Sequence, residues 1–132
     1  MTEVLIVDDT FGCREPLARF LSLSGYRTAT ASNGREALAY LHGHRADVIL
    51  LDLMMPDMDG IAFLQALQGD GVLRNVPVIM VTAISDGPML SQAHDLGIRG
   101  WLVKSQFTTD ELLERVREAC GKPSAGQGAV SG

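Results

Sequence analysis

Five short runs of apolar residues, each followed by a stretch with helical periodicity, constrain this chain more than any other feature. The runs occupy residues 4–7, 28–31, 48–51, 78–81 and 100–103. Four are almost unbroken in aliphatic residues, as strands buried on both faces are. The run 28–31 is more polar and suits a sheet edge. Between them, Cys13, Leu17, Phe20 and Leu21 recur at helical spacing, as do Leu112, Val116, Ala119 and Cys120. Ala37, Leu38 and Leu41 mark a second helix, Ile61, Leu64 and Leu67 a third, and Leu90, Ala93 and Leu96 a fourth. Gly25 and Gly97 stand where helix C-caps belong, and Pro88 fits a first helical turn. Pro16 would clash inside a helix begun at Thr10, so the expected start is near Glu15, or else the helix kinks. The stretch 69–77 reads as a long loop broken by Gly69, Gly71 and Pro77.

Strict alternation of strand and helix implies an α/β fold, a parallel sheet with helices on both faces. Five such strands commonly take the order 2-1-3-4-5, the flavodoxin-like doubly wound arrangement. The chain has 132 residues, enough for one domain with a real core. Residues 1–120 are expected to form it, and 121–132, rich in Gly, Ser and Ala, a disordered tail or the start of a linker. The net charge of −5 argues against direct nucleic-acid binding. No apolar run is long enough for a membrane span, and Met1-Thr2-Glu3 does not open a signal peptide. The expected compartment is the cytoplasm. Cys13 and Cys120 lack metal-ligand spacing and read as unbridged thiols packed as small hydrophobes.

In an open α/β sheet, ligands bind beyond the carboxyl ends of the strands. Here those ends carry Asp8-Asp9, Asp52, Thr82-Ala83 and Lys104-Ser105. Three converging carboxylates repel one another, and Mg²⁺, which prefers oxygen ligands and takes few protein carboxylates beside phosphate oxygens, relieves that repulsion. Taken alone, Asp8 and Asp9 are equally well read as helix caps. Asp52 directly follows a buried strand, and a carboxylate so placed can attack phosphorus to form an aspartyl phosphate. Its plainer role, a turn cap, is already supplied by Asp57 and Asp59. Lys104 supplies an ammonium for a transferring phosphoryl group, although a solitary lysine is usually a surface residue. Thr82 offers a hydroxyl, and threonine is also simply a good strand residue.

With these residues in view, the chain resembles the receiver (response regulator) domain of two-component signalling. The resemblance rests on Val4-Leu5-Ile6-Val7-Asp8-Asp9, on Leu51-Asp52-Leu53-Met54-Met55-Pro56-Asp57-Met58-Asp59-Gly60, on Pro77-Val78-Ile79-Met80-Val81-Thr82-Ala83, and on Gly97 through Lys104. It covers about residues 1–120. It implies that Asp52 is the phosphoacceptor, that Asp8, Asp9 and the Met54 backbone carbonyl join Asp52 in holding Mg²⁺, and that Thr82 and Lys104 bind the phosphoryl group. Trp101 falls where the family carries its switch aromatic. The implied donors are histidine kinases or phosphotransfer proteins. The implied output is a partner bound through the face of the fourth helix, fifth strand and fifth helix, and homodimerisation on phosphorylation is compatible with this pattern.

Two departures stand out. The family usually has proline after the lysine, where this chain has Ser105; the expectation is a strained cis bond or a rearranged loop through Ser105-Gln106-Phe107. Trp101 is bulkier than the usual Tyr or Phe. Met54 and Ile84, each two residues beyond a site residue, are apolar and cannot orient an attacking water, so slow dephosphorylation is expected. Three other readings compete. A phosphorylation-independent interaction domain would bind its partner equally well with Asp52→Asn. A Mg²⁺-dependent phosphohydrolase would need an acid where Met54 stands. A flavin-binding domain would need a phosphate-cradling loop where Asp8-Asp9 would repel phosphate.

Overall fold

The computed structural model describes residues 2–55, 58–84 and 87–120. Among them run five strands and five α-helices in strict alternation: β1 (Glu3–Val7), α1 (Phe11–Leu23), β2 (Arg27–Ala31), α2 (Gly34–Gly43), β3 (Val48–Leu51), α3 (Gly60–Gln68), β4 (Val78–Thr82), α4 (Pro88–Asp95), β5 (Gly100–Val103) and α5 (Thr109–Cys120). The sheet order is β2-β1-β3-β4-β5, all pairs parallel, the expected order. The polar run forms β2 and lies at an edge.

Strand side chains alternate faces, and both faces are buried here. Val4 and Ile6 of β1, Val48 and Leu50 of β3, and Ile79 and Val81 of β4 pack with Ala18 and Leu21 of α1 and Leu112, Val116 and Ala119 of α5. The intervening residues Leu5, Val7, Ile49, Leu51, Val78 and Met80 face Ala37 and Leu41 of α2, the Ile61, Phe63, Leu64 and Leu67 stripe of α3, and Ala93 of α4. Strands covered on both sides need aliphatic residues at every position, which is why these runs do not alternate with polar residues.

Helices α1 and α4 end in matching turns. Gly25 and Gly97 take positive φ (101° and 89°); their amides bond to the Ser22 and His94 carbonyls, and the next amides, of Tyr26 and Ile98, reach back to Leu21 and Ala93. This is the paired 5→2 and 6→1 bonding that satisfies helix-end carbonyls. Pro88 is in the first turn of α4.

Two local expectations need correction. Of the two expectations for α1, a start near Glu15 or a kink, the late start is not found: the helix begins at Phe11 and runs through Pro16. The amides of Cys13 and Arg14 already bond to the Thr10 carbonyl, so the first turn is closed before Pro16 is reached, and proline forfeits the one bond that its missing N–H would have made to Gly12. The stretch 69–77 is not wholly irregular: Leu73–Asn75 forms one 3₁₀ turn, with Asp70 Oδ1 accepting from the Val72 and Leu73 amides at 2.9 Å each. Cys13 and Cys120 form no disulfide. Among the described residues no helix is long and apolar enough to cross a membrane. Residues 121–132, expected to form a tail, lie outside the described residues, as do Pro56 and Asp57.

Candidate functional site

The ladder of backbone hydrogen bonds runs one residue past the strands, and that extension assembles the site. The Asp8 amide donates to the Ala31 carbonyl at 3.1 Å, the Asp52 amide to Val7 at 3.0 Å, and the Lys104 amide to Thr82 at 2.8 Å. Asp8, Asp52 and Lys104 therefore sit at the same carboxyl rim, each held by a neighbouring strand.

Their side chains meet there. Lys104 Nζ lies 2.8 Å from Asp8 Oδ2 and 3.1 Å from Asp52 Oδ2. Both aspartates are buried, at 2% and 5% exposure, and Thr82 is fully buried. Asp9 is exposed, yet oxygens of Asp8, Asp9 and Asp52 all lie within 4.8 Å of one another. Burial disfavours the Lys104 ammonium, but its hydrogen bonds with the Asp8 and Asp52 carboxylates outweigh that and hold its pKa above the usual lysine range.

The remaining oxygens are also engaged. Asp8 Oδ1 accepts from the Thr10 amide at 2.9 Å, and Asp52 Oδ1 from the Met54 amide at 3.3 Å. Neither Asp8 nor Asp9 is the N-cap residue of α1: that position is held by Thr10, whose side chain makes no cap bond, and the amide that Asp8 reaches is only that of Thr10 itself. Asp59 does cap α3, accepting from the Ala62 amide at 2.9 Å. An all-oxygen cluster of three carboxylates beside one ammonium suits a hard divalent ion such as Mg²⁺.

Thr82 and Trp101 both connect to Ile84. The Ile84 amide donates to Thr82 Oγ1 at 3.4 Å, and the Ile84 carbonyl accepts from Trp101 Nε1 at 3.3 Å. Trp101 is part-buried, with the His94 ring edge-on at 6.3 Å. Met54 is exposed beside Asp52.

No cis peptide bond occurs among the described residues, so of the two expectations for Lys104-Ser105 the rearranged loop is the one found. Ser105 takes a left-handed φ of 68°, rare for a residue with a side chain, and the Gln106 amide closes the turn on the Val103 carbonyl at 3.0 Å.

Two contributors were not singled out from sequence. The Arg14 Nη1 donates to the Asp8 carbonyl at 2.9 Å. Gly60 lies so close to the strand that a Cβ there would stand 2.7 Å from the Asp52 carbonyl oxygen. Gly60 as the first residue of a helix behind an aspartate cap was a readable signal; nothing in the sequence pointed Arg14 at Asp8.

Comparison with known proteins agrees with this fold. The family model "Response regulator receiver domain" matches residues 4–117. The chain is 41% identical over 115 residues to the "Probable transcriptional regulator ycf27" of Guillardia theta, covering 87% of this chain but only 44% of that protein, so it spans less than half of that relative. It is 34% identical over 116 residues to "Sporulation initiation phosphotransferase F" of Bacillus subtilis, covering 88% of this chain and 91% of that one. The solved structure of chemotaxis protein CheY4 of Vibrio cholerae superposes with a TM-score of 0.83 at 34% identity, covering 90% of this chain and 98% of its own. A rim of buried aspartates closed by a lysine, on this sheet order and with these relatives, places the chain in the response regulator receiver domain family of two-component signalling.

Proposed function

We propose that this domain is a phosphoryl-accepting switch in which Asp52 takes a phosphoryl group from a phosphohistidine on a histidine kinase or phosphotransfer protein. The observation that carries the reading is the Lys104 ammonium bonded at once to Asp8 and Asp52 beside Asp9. In the transfer, an Asp52 carboxylate oxygen forms the new bond to phosphorus as the bond to the donor's imidazole nitrogen breaks, and the imidazole carries away that electron pair. Asp8, Asp9, Asp52 and the Met54 carbonyl are the groups that would hold Mg²⁺, which when bound supplies positive charge to the phosphoryl oxygens. Lys104 exchanges its bond to Asp52 for one to a phosphoryl oxygen, and Thr82 donates its hydroxyl to another.

The same step reaches the surface through Ile84. Drawing Thr82 toward the phosphoryl group weakens the Ile84 amide's bond to Thr82, and Ile84 in turn holds the Trp101 indole. Release of that indole alters the face formed by α4, β5 and α5, where a downstream partner would bind. Phosphorylation favours only the state that contacts the new group better, so the change is a shift in population. With apolar Met54 and Ile84 next to the site, the aspartyl phosphate is expected to be long-lived, and Met54→Asn to shorten its life.

The test is incubation with Mg²⁺ and a small phosphodonor, followed by intact-mass measurement. The expected result is the gain of one phosphoryl group, lost in Asp52→Asn and on chelation. A gain that persists in Asp52→Asn overturns the assignment.

A further inference from the structure

We infer that Arg14 is a positioning residue for the Asp8-Asp9 pair, acting through the backbone of the turn that joins β1 to α1. The inference rests on the Mg²⁺ reading of the site above and goes beyond it by adding a residue that touches none of the three carboxylates.

Arg14 is an unfavourable residue where it stands. It lies in the opening turns of α1, whose first turn carries no acidic side chain, and a cation near a helix N-terminus opposes the helix dipole. Its side chain is nevertheless folded back and only 15% exposed. Three contacts hold it there. Nη1 donates to the Asp8 carbonyl at 2.9 Å, the guanidinium carbon lies 5.5 Å from the centre of the Phe11 ring, and Nε lies 3.8 Å from Glu15. Of these only the bond to Asp8 is short and directional.

That bond fixes the residue on which the acidic pair pivots. Asp8 is anchored on one side by its amide to Ala31, on the other by Arg14 at its carbonyl, and its carboxylate is aimed by the Thr10 amide and Lys104. The Asp8 carbonyl belongs to the peptide that leads into Asp9, so pinning it sets the direction in which Asp9 leaves the strand. Arg14 thus orients two carboxylates without bonding to either, as outer partners of metal ligands do.

The sign of the effect separates orientation from charge. If Arg14 acted only as a nearby positive charge, removing it would tighten Mg²⁺ binding. If it positions the pair, removing it weakens binding. Arg14→Met keeps the aliphatic stem over Phe11 and loses the guanidinium. Calorimetric titration of the metal-free protein with MgCl₂ is expected to show about tenfold weaker binding in Arg14→Met than in the parent chain. Amide hydrogen exchange without metal is expected to show the Thr10 amide exchanging several-fold faster in the variant, with β3 and β4 amides unchanged. Unchanged or tighter Mg²⁺ binding with unchanged Thr10 exchange overturns the inference. If the parent chain binds no Mg²⁺, the metal reading fails, and Thr10 exchange alone then decides the positioning role. Should Arg14→Met not fold, Arg14→Lys, which keeps the charge but not the direction of the donor, is read by the same two measurements.

Discussion

Lys104 stands closer to Asp8 than to Asp52, at 2.8 Å against 3.1 Å. The Lys104–Asp8 pair links the ends of β5 and β1, between which β3 and β4 lie. One ammonium thus closes the rim from its edge strand across to the strand that begins the chain, while two buried carboxylates share it.

Removing that ammonium leaves Asp8 and Asp52 buried with no shared cation. Breaking a buried pair costs about 3–5 kcal/mol; the Lys104 side chain is 20% exposed, so solvent screening reduces the expected loss to about 2 kcal/mol. Urea denaturation of Lys104→Ala at neutral pH with a chelator present should show this loss, and saturating Mg²⁺ should narrow the gap, because carboxylates freed of the ammonium bind the ion more tightly and the folded variant gains more from it than the parent chain does. Equal stability of the two chains without metal would show that the pair contributes nothing.

Trp101→Phe keeps an aromatic ring, though a smaller one, and deletes the donor to the Ile84 carbonyl. The expected cost is about 1 kcal/mol, the net worth of an ordinary hydrogen bond. The chain contains a single tryptophan, so intrinsic fluorescence reports its surroundings directly. Phosphodonor with Mg²⁺ should change that emission in the parent chain and leave it constant in Asp52→Asn. Emission indifferent to the phosphodonor, in a sample whose mass shows phosphorylation, would remove Trp101 from the switch.

Gly60→Ala places a Cβ 2.7 Å from both the Asp52 carbonyl oxygen and the Leu53 Cα. Backbone atoms cannot turn away as a flexible side chain can, so α3 or the end of β3 must shift, at about 2–3 kcal/mol. The shift moves Asp52 itself, and slower phosphorylation should accompany the lower urea midpoint. Gly43→Ala is the control: its Cβ would meet nothing within 4 Å, and it should be neutral or slightly stabilising.

Asp70 accepts from two amides at the start of the 3₁₀ turn, and its pKa is lowered by those hydrogen bonds from Leu73 and Val72. A folded-state pKa below the unfolded value means stability that is present above about pH 4 and lost as pH falls through the folded value. Asp70→Ala should therefore lower the urea midpoint at pH 7, and the difference between the chains should shrink steadily below pH 4. A difference that stays constant with pH would mean that the loss comes from packing and not from the carboxylate.

Much of this molecule could be read from its linear order. Sustained aliphatic runs separated by helical periodicity imply covered parallel strands, because only strands buried on both faces need apolar residues throughout. Placing Asp8, Asp52, Thr82 and Lys104 at strand ends needed nothing more than the ends of those runs. Gly25, Gly97 and Pro88 were legible because helix termini obey local rules.

Other features were left open by the local pattern, and only the folded arrangement decided them. Whether α1 starts before or after Pro16 depended on how the first turn bonds to Thr10. Ser105 could have answered the missing proline in two ways, and it takes a left-handed turn. The sharing of Lys104 between two aspartates, the reach of Arg14 to the Asp8 carbonyl and the tie from Ile84 to Trp101 join segments that local propensity does not relate. Propensity and burial pattern act within a few residues, whereas the direction of a buried charged side chain is set by whichever partner the packed strands bring within reach.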